Sequence, residues 1–171
     1  MEDYLEKGDM ALGLLRDSAY SKLRQDVTEN GWICHGEYNQ HNVLMIRKET
    51  AVTSFAHWGF DVQMADLYRF MRKILEKYNW DARLGMKMLS AYHKEKSISE
   101  DEWQNIHIRF LYPEKYWKLA NYYYSHNKAW ISEKKHAEVK EADRAERSLA
   151  KLRSKMSRKL SFLIVFYQEQ G

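Results

Sequence analysis

The sequence predicts a mainly α-helical fold that includes a small β-hairpin. Chain breakers are scarce, with one proline and seven glycines in 171 residues, which favours long helices over a many-turned β-sandwich. Short segments rich in β-branched or large apolar residues are confined to residues 32–34, 43–46 and 51–55. From residue 63 onward, apolar side chains recur every three or four positions, which is the spacing of amphipathic helices.

The composition is that of one globular domain. Hydrophobic residues make up 44% of the chain and charged residues 30%, and the chain is long enough to bury a sizeable core. The single cysteine, Cys34, excludes an internal disulfide and a cysteine-built metal site, and its apolar neighbours predict a buried, inert thiol. A signal core and a run of roughly 20 apolar residues are both absent from the sequence, so we expect a cytoplasmic protein without a transmembrane segment. The formal charge of +4 is too small to indicate a nucleic-acid partner.

One long amphipathic helix is predicted over residues 3–28. Its apolar side chains fall close to one face: Leu5, Leu12, Leu15, Ala19, Leu23 and Val27. Asn30 and Gly31 should end this helix, since both residues tolerate the left-handed conformation of a C-cap. Residues 47–50 suit a hairpin connection between the second and third β-type segments.

A helical array is predicted over residues 63–130. An apolar stripe from Met64 to Tyr78 indicates the first helix, and Asp81 can cap the second. Ser99 and Glu102 have the spacing of a capping box that opens the third helix. Pro113 suits the first turn of the fourth. Three tryptophans of this region lie on or beside apolar helix faces, which favours core packing over base stacking: Trp103, Trp117 and Trp130.

Residues 1–131 are predicted to form the folded domain, and residues 132–171 a charged helical tail with an apolar end. Residues 147–159 include six basic and no acidic side chains, and residues 160–167 are almost wholly apolar. We expect this tail to be an appendage outside the core, with its apolar end folded onto the body. An interfacial membrane anchor or a partner-docking helix is the alternative. A frame-shifted or read-through tail would have the same kind of amino-acid composition.

The most informative run is His35-Gly36-Glu37, followed by Asn42 and an apolar strand. Phosphoryl transfer to a hydroxyl needs a carboxylate that orients the hydroxyl and accepts its proton, and an oxygen ligand for Mg²⁺ a few residues later. Glu37 stands at the position of the base and Asn42 at the position of the metal ligand. His35 would orient the loop by hydrogen-bonding its backbone. An ordinary polar turn between two strands is the alternative interpretation.

The eight residues 35–42 resemble the catalytic loop of aminoglycoside- and choline-kinase-like phosphotransferases. In that superfamily a second metal-binding segment follows about a dozen residues later, where this chain has Ser54 in place of the metal-binding aspartate and Ala56 in place of a nearby acid. Asp66 matches the aspartate that buttresses the catalytic loop. Over about residues 1–135 the chain is most similar to CotS-type spore-coat proteins, in segments 66–73, 78–81, 98–103, 112–118 and 127–131.

The resemblance implies the C-terminal lobe of a protein-kinase-like fold, with ATP and Mg²⁺ as cofactors and an alcohol group as acceptor. Three departures indicate impaired catalysis. Only 34 residues precede His35, without the glycine-rich loop and strand lysine of an ATP-binding lobe. Ser54 lacks the charge that holds Mg²⁺ against its hydration shell. Glu37, in place of aspartate, moves the carboxylate by ~1.5 Å. We therefore expect no cofactor for this chain alone.

The sequence thus predicts a truncated, CotS-like sporulation protein, a pseudokinase of the cytoplasm or spore coat that acts through protein contacts. The alternative is the C-terminal half of an active small-molecule phosphotransferase whose ATP-binding lobe is supplied separately. Without that lobe, apolar surface at residues 43–46 and 51–55 should be exposed, which favours a protein partner or self-association. Residues 162–166 are the apolar segment that might cover this surface instead.

Overall fold

The computed structural model describes residues 2–125 and 133–168, which form seven α-helices and one two-stranded sheet. The helices are α1 (Glu2–Arg16), α2 (Tyr20–Asn30), α3 (Met64–Lys77), α4 (Ala82–Glu95), α5 (Glu100–Leu111), α6 (Glu114–Ser125) and α7 (Glu133–Gln168), and the strands are β1 (Val43–Ile46) and β2 (Glu49–Val52). The predicted class, mainly α with a small β-hairpin, is confirmed. The predicted packing of Trp130, and of the apolar side chains of residues 162–166, lies outside what the structure describes.

The prediction of one helix over residues 3–28 is wrong, because the chain breaks between α1 and α2. At the break, the Ser18 hydroxyl donates to the carbonyl oxygen of Leu15 at 2.8 Å and accepts the N–H of Tyr20 at 3.2 Å. A serine that bonds nearby backbone in this way competes with the helical ladder. The expected apolar face is also wrong in part, since Leu5 and Leu12 are 43% and 46% exposed. The predicted C-cap is confirmed: Gly31 ends α2 in the left-handed conformation, with φ 67°.

Strands β1 and β2 form an antiparallel hairpin in which Val43 pairs with Val52 and Ile46 with Glu49. Its turn is two residues long and places Arg47 at φ 57°, a positive φ of the kind that matches a tight turn to the twist of two strands. The predicted four-residue connection is therefore too long. Strand β2 begins two residues earlier than predicted, and a short 3₁₀ turn, Phe55–His57, follows it.

The core is built around α3, α4 and α5. Fully buried side chains from these three helices meet there: Met64, Met71, Leu75, Leu89, Trp103 and Ile106. The predicted caps are confirmed, because the Asp81 carboxylate accepts the N–H of Arg83 at 2.7 Å and both hydrogen bonds of the Ser99 capping box are present. These caps fix where α4 and α5 begin, and α5 in turn lies against α1 and α3.

Helix α7 packs on α4 and α5, so the prediction that residues from 132 onward lie outside the core is wrong for its described part. Leu152 and Met156 are fully buried. Gly85 of α4 allows this close packing, since a Cβ there would lie 2.8 Å from Cδ1 of Leu152. Arg153 donates to the carbonyl oxygen of Phe110 at 3.2 Å and also pairs with Glu146. A narrow apolar stripe within a highly charged sequence is therefore sufficient to dock the helix.

Candidate functional site

The loop at residues 35–42 is anchored by the first turn of α3. Carboxylate oxygens of Asp66 accept the backbone N–H of His35 at 2.5 Å and of Gly36 at 3.1 Å. One turn further along α3, the Arg69 guanidinium donates to the carbonyl oxygen of Gly36. Hydrogen bonds to a charged acceptor are among the stronger ones in proteins. The structure thus brings Asp66 into direct contact with the loop, at the place where the sequence suggests a buttressing residue.

The His35 ring connects the backbone of the loop at Glu37 to the backbone at Thr53. Its Nδ1 accepts the N–H of Glu37 at 3.1 Å, and its Nε2 lies 2.7 Å from the carbonyl oxygen of Thr53. A carbonyl can only accept, so Nε2 carries a proton, whereas Nδ1 acts as the acceptor. The ring is 7% exposed and lies 4.6 Å from the ring of Phe55, centroid to centroid. His35 therefore fixes the position of the loop relative to the segment that contains Ser54.

Gly36 is the residue at which the loop needs glycine. Its φ is 81°, and a Cβ at this position would lie 1.9 Å from the carbonyl oxygen of His57. The approach is held by the neighbouring bridge, in which Cys34 and Gly59 exchange N–H···O hydrogen bonds of 2.8 and 3.1 Å. Glycine alone combines a left-handed φ with so close a backbone contact.

Cys34 has the environment of an inert thiol. It is 4% exposed, and its Sγ donates to the carbonyl oxygen of Asp61 at 3.2 Å. Burial, together with the charges of Asp66 and Asp61, raises the pKa of the thiol to about 12. Since the thiolate is the reactive form, this cysteine adds no nucleophile to the site.

The Glu37 side chain is about half exposed, and its Oε1 lies 3.6 Å from Nε2 of His57. The Glu37 carbonyl oxygen accepts the side-chain amides of Asn39 and Asn42, each at 2.9 Å. The backbone at Glu37 is therefore fixed, while its carboxylate is free to reach solvent. A carboxylate in this position is sterically able to meet a hydroxyl group.

Asn42 and Ser54, the two predicted metal positions, lie close together because the carbonyl oxygen of Asn42 accepts the N–H of Thr53 at 2.9 Å. The Asn42 amide nitrogen is used within the loop, which leaves its Oδ1 for a metal. Ser54 is exposed and left-handed, with φ 65°. Mg²⁺ sites in proteins usually include one or two carboxylates in near-octahedral geometry. Asn42 and Ser54 offer two neutral oxygens and no carboxylate, so this donor set does not fit a tightly held Mg²⁺. Among the described residues no cluster of three His, Cys, Asp or Glu side chains is suited to a metal ion.

A cleft of about 590 Å³ lies between the loop and helices α1, α3, α5 and α6. Residues 36–39, including Glu37, form one wall. The sequence interpretation missed this cleft, because its walls come from elements far apart in the chain. A signal that could have revealed it is the basic cluster of α3, which places Arg69, Arg72 and Lys73 within five positions of each other.

Glu114 at the start of α6 organises one end of the cleft. Its Oε2 accepts the Tyr68 hydroxyl at 2.9 Å and lies 3.3 Å from Nε of Arg72, and Lys118 donates to its Oε1. Burial opposes ionisation of Glu114, but the hydrogen bond from Lys118 and the charge of Arg72 outweigh it and lower the pKa of the carboxyl. Burial of the ring, together with the charge of the same carboxylate, raises the pKa of Tyr68.

The hairpin leaves a large apolar surface exposed. Successive residues of a strand point to opposite faces, yet Leu44, Met45 and Ile46 are 42%, 75% and 53% exposed, so neither face of β1 is covered. Phe55 and Trp58 beside the hairpin are each at least half exposed. We call these five side chains the hairpin face. The predicted exposure of apolar surface at residues 43–46 is confirmed for three of the four positions.

Within the described residues, the structure contains no helix long and apolar enough to cross a membrane.

This chain is similar to known proteins in both fold and sequence. In fold, it is similar to the aminoglycoside phosphotransferase from Alicyclobacillus acidocaldarius subsp. acidocaldarius DSM 446, with a TM-score of 0.83 over 94% of this chain and 48% of that chain, at 14% identity. In sequence, it is 24% identical over 132 residues to spore coat protein S of Bacillus subtilis (strain 168), which covers 76% of this chain and 38% of that protein. The chain thus spans less than half the length of either protein.

A family model described as "Spore coat putative kinase YutH" matches residues 4–156. The match begins in α1, includes the loop and the hairpin, and extends to Met156 in α7, some twenty residues beyond the point where the sequence resemblance was expected to end. The fold, the loop held by Asp66 and this match agree with one another. The chain belongs to this YutH family of kinase-like spore-coat proteins.

Proposed function

We propose that this chain is the large lobe of a kinase-like spore-coat protein with impaired catalysis, which acts in the spore coat through a protein contact. The observation that carries the proposal is Ser54. A neutral, exposed hydroxyl stands beside Asn42 where the resembling phosphotransferases have a metal-binding aspartate.

A firmly held loop beside a weak set of metal donors supports the proposal. His35, Gly36 and Asp66 are tied together by hydrogen bonds, so the loop has the rigidity that a catalytic loop needs. The groups that would hold Mg²⁺ are weaker: Asn42 offers one neutral oxygen and Ser54 another. Because phosphoryl transfer depends on metal ions to neutralise the developing charge, this donor set supports a binding function more than a catalytic one.

The hairpin face is the surface that we assign to the protein contact. It adjoins the loop, where the Phe55 ring packs on His35, and exposes five large apolar side chains on both sides of the hairpin. Exposed apolar surface of this kind marks interaction sites. In the resembling phosphotransferases the corresponding side of the large lobe packs against the ATP-binding lobe. We therefore propose a folded protein domain as its occupant, either an ATP-binding lobe or a coat protein that takes its place.

Titration calorimetry with ATP and Mg²⁺ tests the metal argument. The wild-type chain should show no binding at micromolar concentrations. Ser54→Asp should gain Mg²⁺ affinity, since aspartate tolerates the left-handed conformation and supplies the absent charge. Ser54→Asn is the matched control, because it has nearly the same shape without the charge and should gain nothing. Micromolar binding of Mg²⁺–ATP by the wild type would overturn the proposal.

An active phosphotransferase half is the second candidate, favoured by the way Glu37 opens onto the cleft while its backbone is held in place. In that case Glu37 would accept the proton of an acceptor hydroxyl and Asn42 would hold the metal. Supplying an ATP-binding lobe, encoded upstream or added in trans, should then produce ATP turnover that Glu37→Gln removes. Absence of turnover from such a complex would eliminate this candidate.

A further inference from the structure

We propose that the cleft beside the loop binds a small molecule that carries a phosphate or carboxylate group. The inference rests on the proposed function in one respect, that the loop is a binding scaffold and not merely a turn. It holds whether or not the chain transfers phosphate. With a volume of about 590 Å³, the cleft lies within the range of sites that hold small organic ligands.

Basic side chains outnumber acidic ones on the walls of the cleft. The basic residues are Arg69, Arg72, Lys73, Arg109 and Lys118, and the acidic residues are Glu37 and Glu114. Glu114 and Glu76 neutralise Arg72, at 3.3 and 2.7 Å, and Glu114 also pairs with Lys118. These pairs make one end of the cleft electrically balanced.

The other end of the cleft keeps an excess of positive charge. Arg69 lies 4.0 Å from Asp66, and Arg109 lies 3.9 Å from Asp61, so both ion pairs are long. Lys73 is exposed and forms no ion pair with another described residue. Three cations of the cleft lining that are unpaired or have distant counterions form an electrostatic site for an anion.

Asn105 is an independent sign of a ligand. It lines the cleft, is 1% exposed, and its Nδ2 has no hydrogen-bond partner in the structure. The orientation of the amide is fixed, because Nε of Arg109 can only donate and lies 2.9 Å from Oδ1. A buried donor without a partner costs free energy comparable to a lost hydrogen bond, and an oxygen-rich ligand in the cleft would supply the acceptor.

The orphan donor and the cations require the same ligand chemistry. Asn105 Nδ2, Lys73, Arg69 and Arg109 all donate hydrogen bonds, so a ligand that presents several acceptor oxygens and negative charge satisfies them together. A cationic ligand would be repelled by these side chains. The Glu37 carboxylate also lines the cleft, where it can accept a hydroxyl group of the same ligand.

A matched set of sugars tests the inference by calorimetry on the whole chain, without nucleotide or metal: glucose 6-phosphate, glucuronate and neutral glucose. The two anions should bind and glucose should not, and added salt should weaken binding. Lys73→Glu should lower the affinity for glucose 6-phosphate roughly three- to tenfold, the range expected from reversing one exposed charge. The control is Lys77→Glu on the same helix, since Lys77 is exposed but does not line the cleft, and it should change affinity less than twofold.

The side-chain amide signals of Asn105 provide a second readout by NMR, and they should shift on addition of glucose 6-phosphate. Equal binding of glucose and glucose 6-phosphate would overturn the inference. So would equal weakening by the two lysine variants, or binding that leaves the Asn105 amide unperturbed. Because nucleotide and metal are absent from this experiment, its failure leaves the conclusion on Ser54 standing, and binding of Mg²⁺–ATP would leave this inference standing.

Discussion

Replacing Asp66 with asparagine should destabilise the protein mainly through the loop. The carboxylate accepts two backbone N–H groups, those of His35 and Gly36, and its side chain is 16% exposed. An asparagine side chain has nearly the same shape, but its NH₂ group must face one of the two donors. One hydrogen bond is lost and one N–H is left unpaired, which together cost about 2–3 kcal/mol. For a chain of this length that corresponds to a fall in melting temperature of roughly 5–10 °C.

Thermal unfolding followed by circular dichroism measures this effect, with Asp101→Asn as the matched control. Asp101 also lies in the first turn of its helix, so both substitutions remove a charge that favours a helix N-terminus, an effect of about 0.3–1 kcal/mol. Only Asp66→Asn should cost more than that. If the two variants melt within about 1 °C of each other, Asp66 does not hold the loop, and the assignment of a preserved kinase-like scaffold loses its main support.

Three further outcomes follow from the structure. Leu152→Ala should lower the free energy of unfolding, measured in urea, by about 2–5 kcal/mol, because it opens a cavity against α4. Leu14→Ala, at an exposed position, should lower it by less than about 1 kcal/mol. Equal losses in the two variants would contradict the docking of α7. Native Cys34 should react slowly with a thiol reagent, since the shift in its pKa from 9.0 to about 12 lowers the thiolate fraction roughly a thousandfold; rapid labelling without denaturant would contradict its burial. The pKa of Glu114 is lowered in the folded state, so its contribution to stability is complete above the usual carboxyl pKa of 4.5 and is lost as pH falls through the folded-state pKa. Glu114→Gln should therefore be less stable than wild type near neutral pH and equal to it at the acid limit. A difference in stability that stays constant with pH would exclude the ion pairs.

The loop and the helices of the middle of the chain could be predicted from sequence, because their determinants are local. Local determinants, only a few residues apart, are sufficient for the strand at residues 43–46, the caps at Asp81 and Ser99 and the left-handed Gly31. The role expected of Asp66 relied on a resemblance and not on spacing. Its contact with His35 spans 31 positions of sequence, and periodicity alone contains no information about such a contact.

The errors arise where a local side-chain hydrogen bond or a tertiary contact overrides the apolar pattern. The helix over residues 3–28 has an unbroken apolar periodicity, but Ser18 bonds the neighbouring backbone and the helix divides there. The buried face of α1 includes Ala11, a small residue that allows close packing and carries a weak hydrophobic signal. In α7 the abundance of charge conceals Leu152 and Met156, which are sufficient for docking. The cleft was missed for the same reason, since its walls meet only in the folded chain.

NMR with Mn²⁺ in place of Mg²⁺ tests the central claim most directly, because a bound paramagnetic ion broadens the signals of nearby nuclei. The account predicts that the backbone signals of Asn42 and Ser54 in the wild-type chain broaden no more than those of exposed residues elsewhere. It also predicts that Ser54→Asp broadens them selectively. Selective broadening at Asn42 and Ser54 in the wild-type chain would contradict the account, because it would show that the loop still holds a catalytic metal.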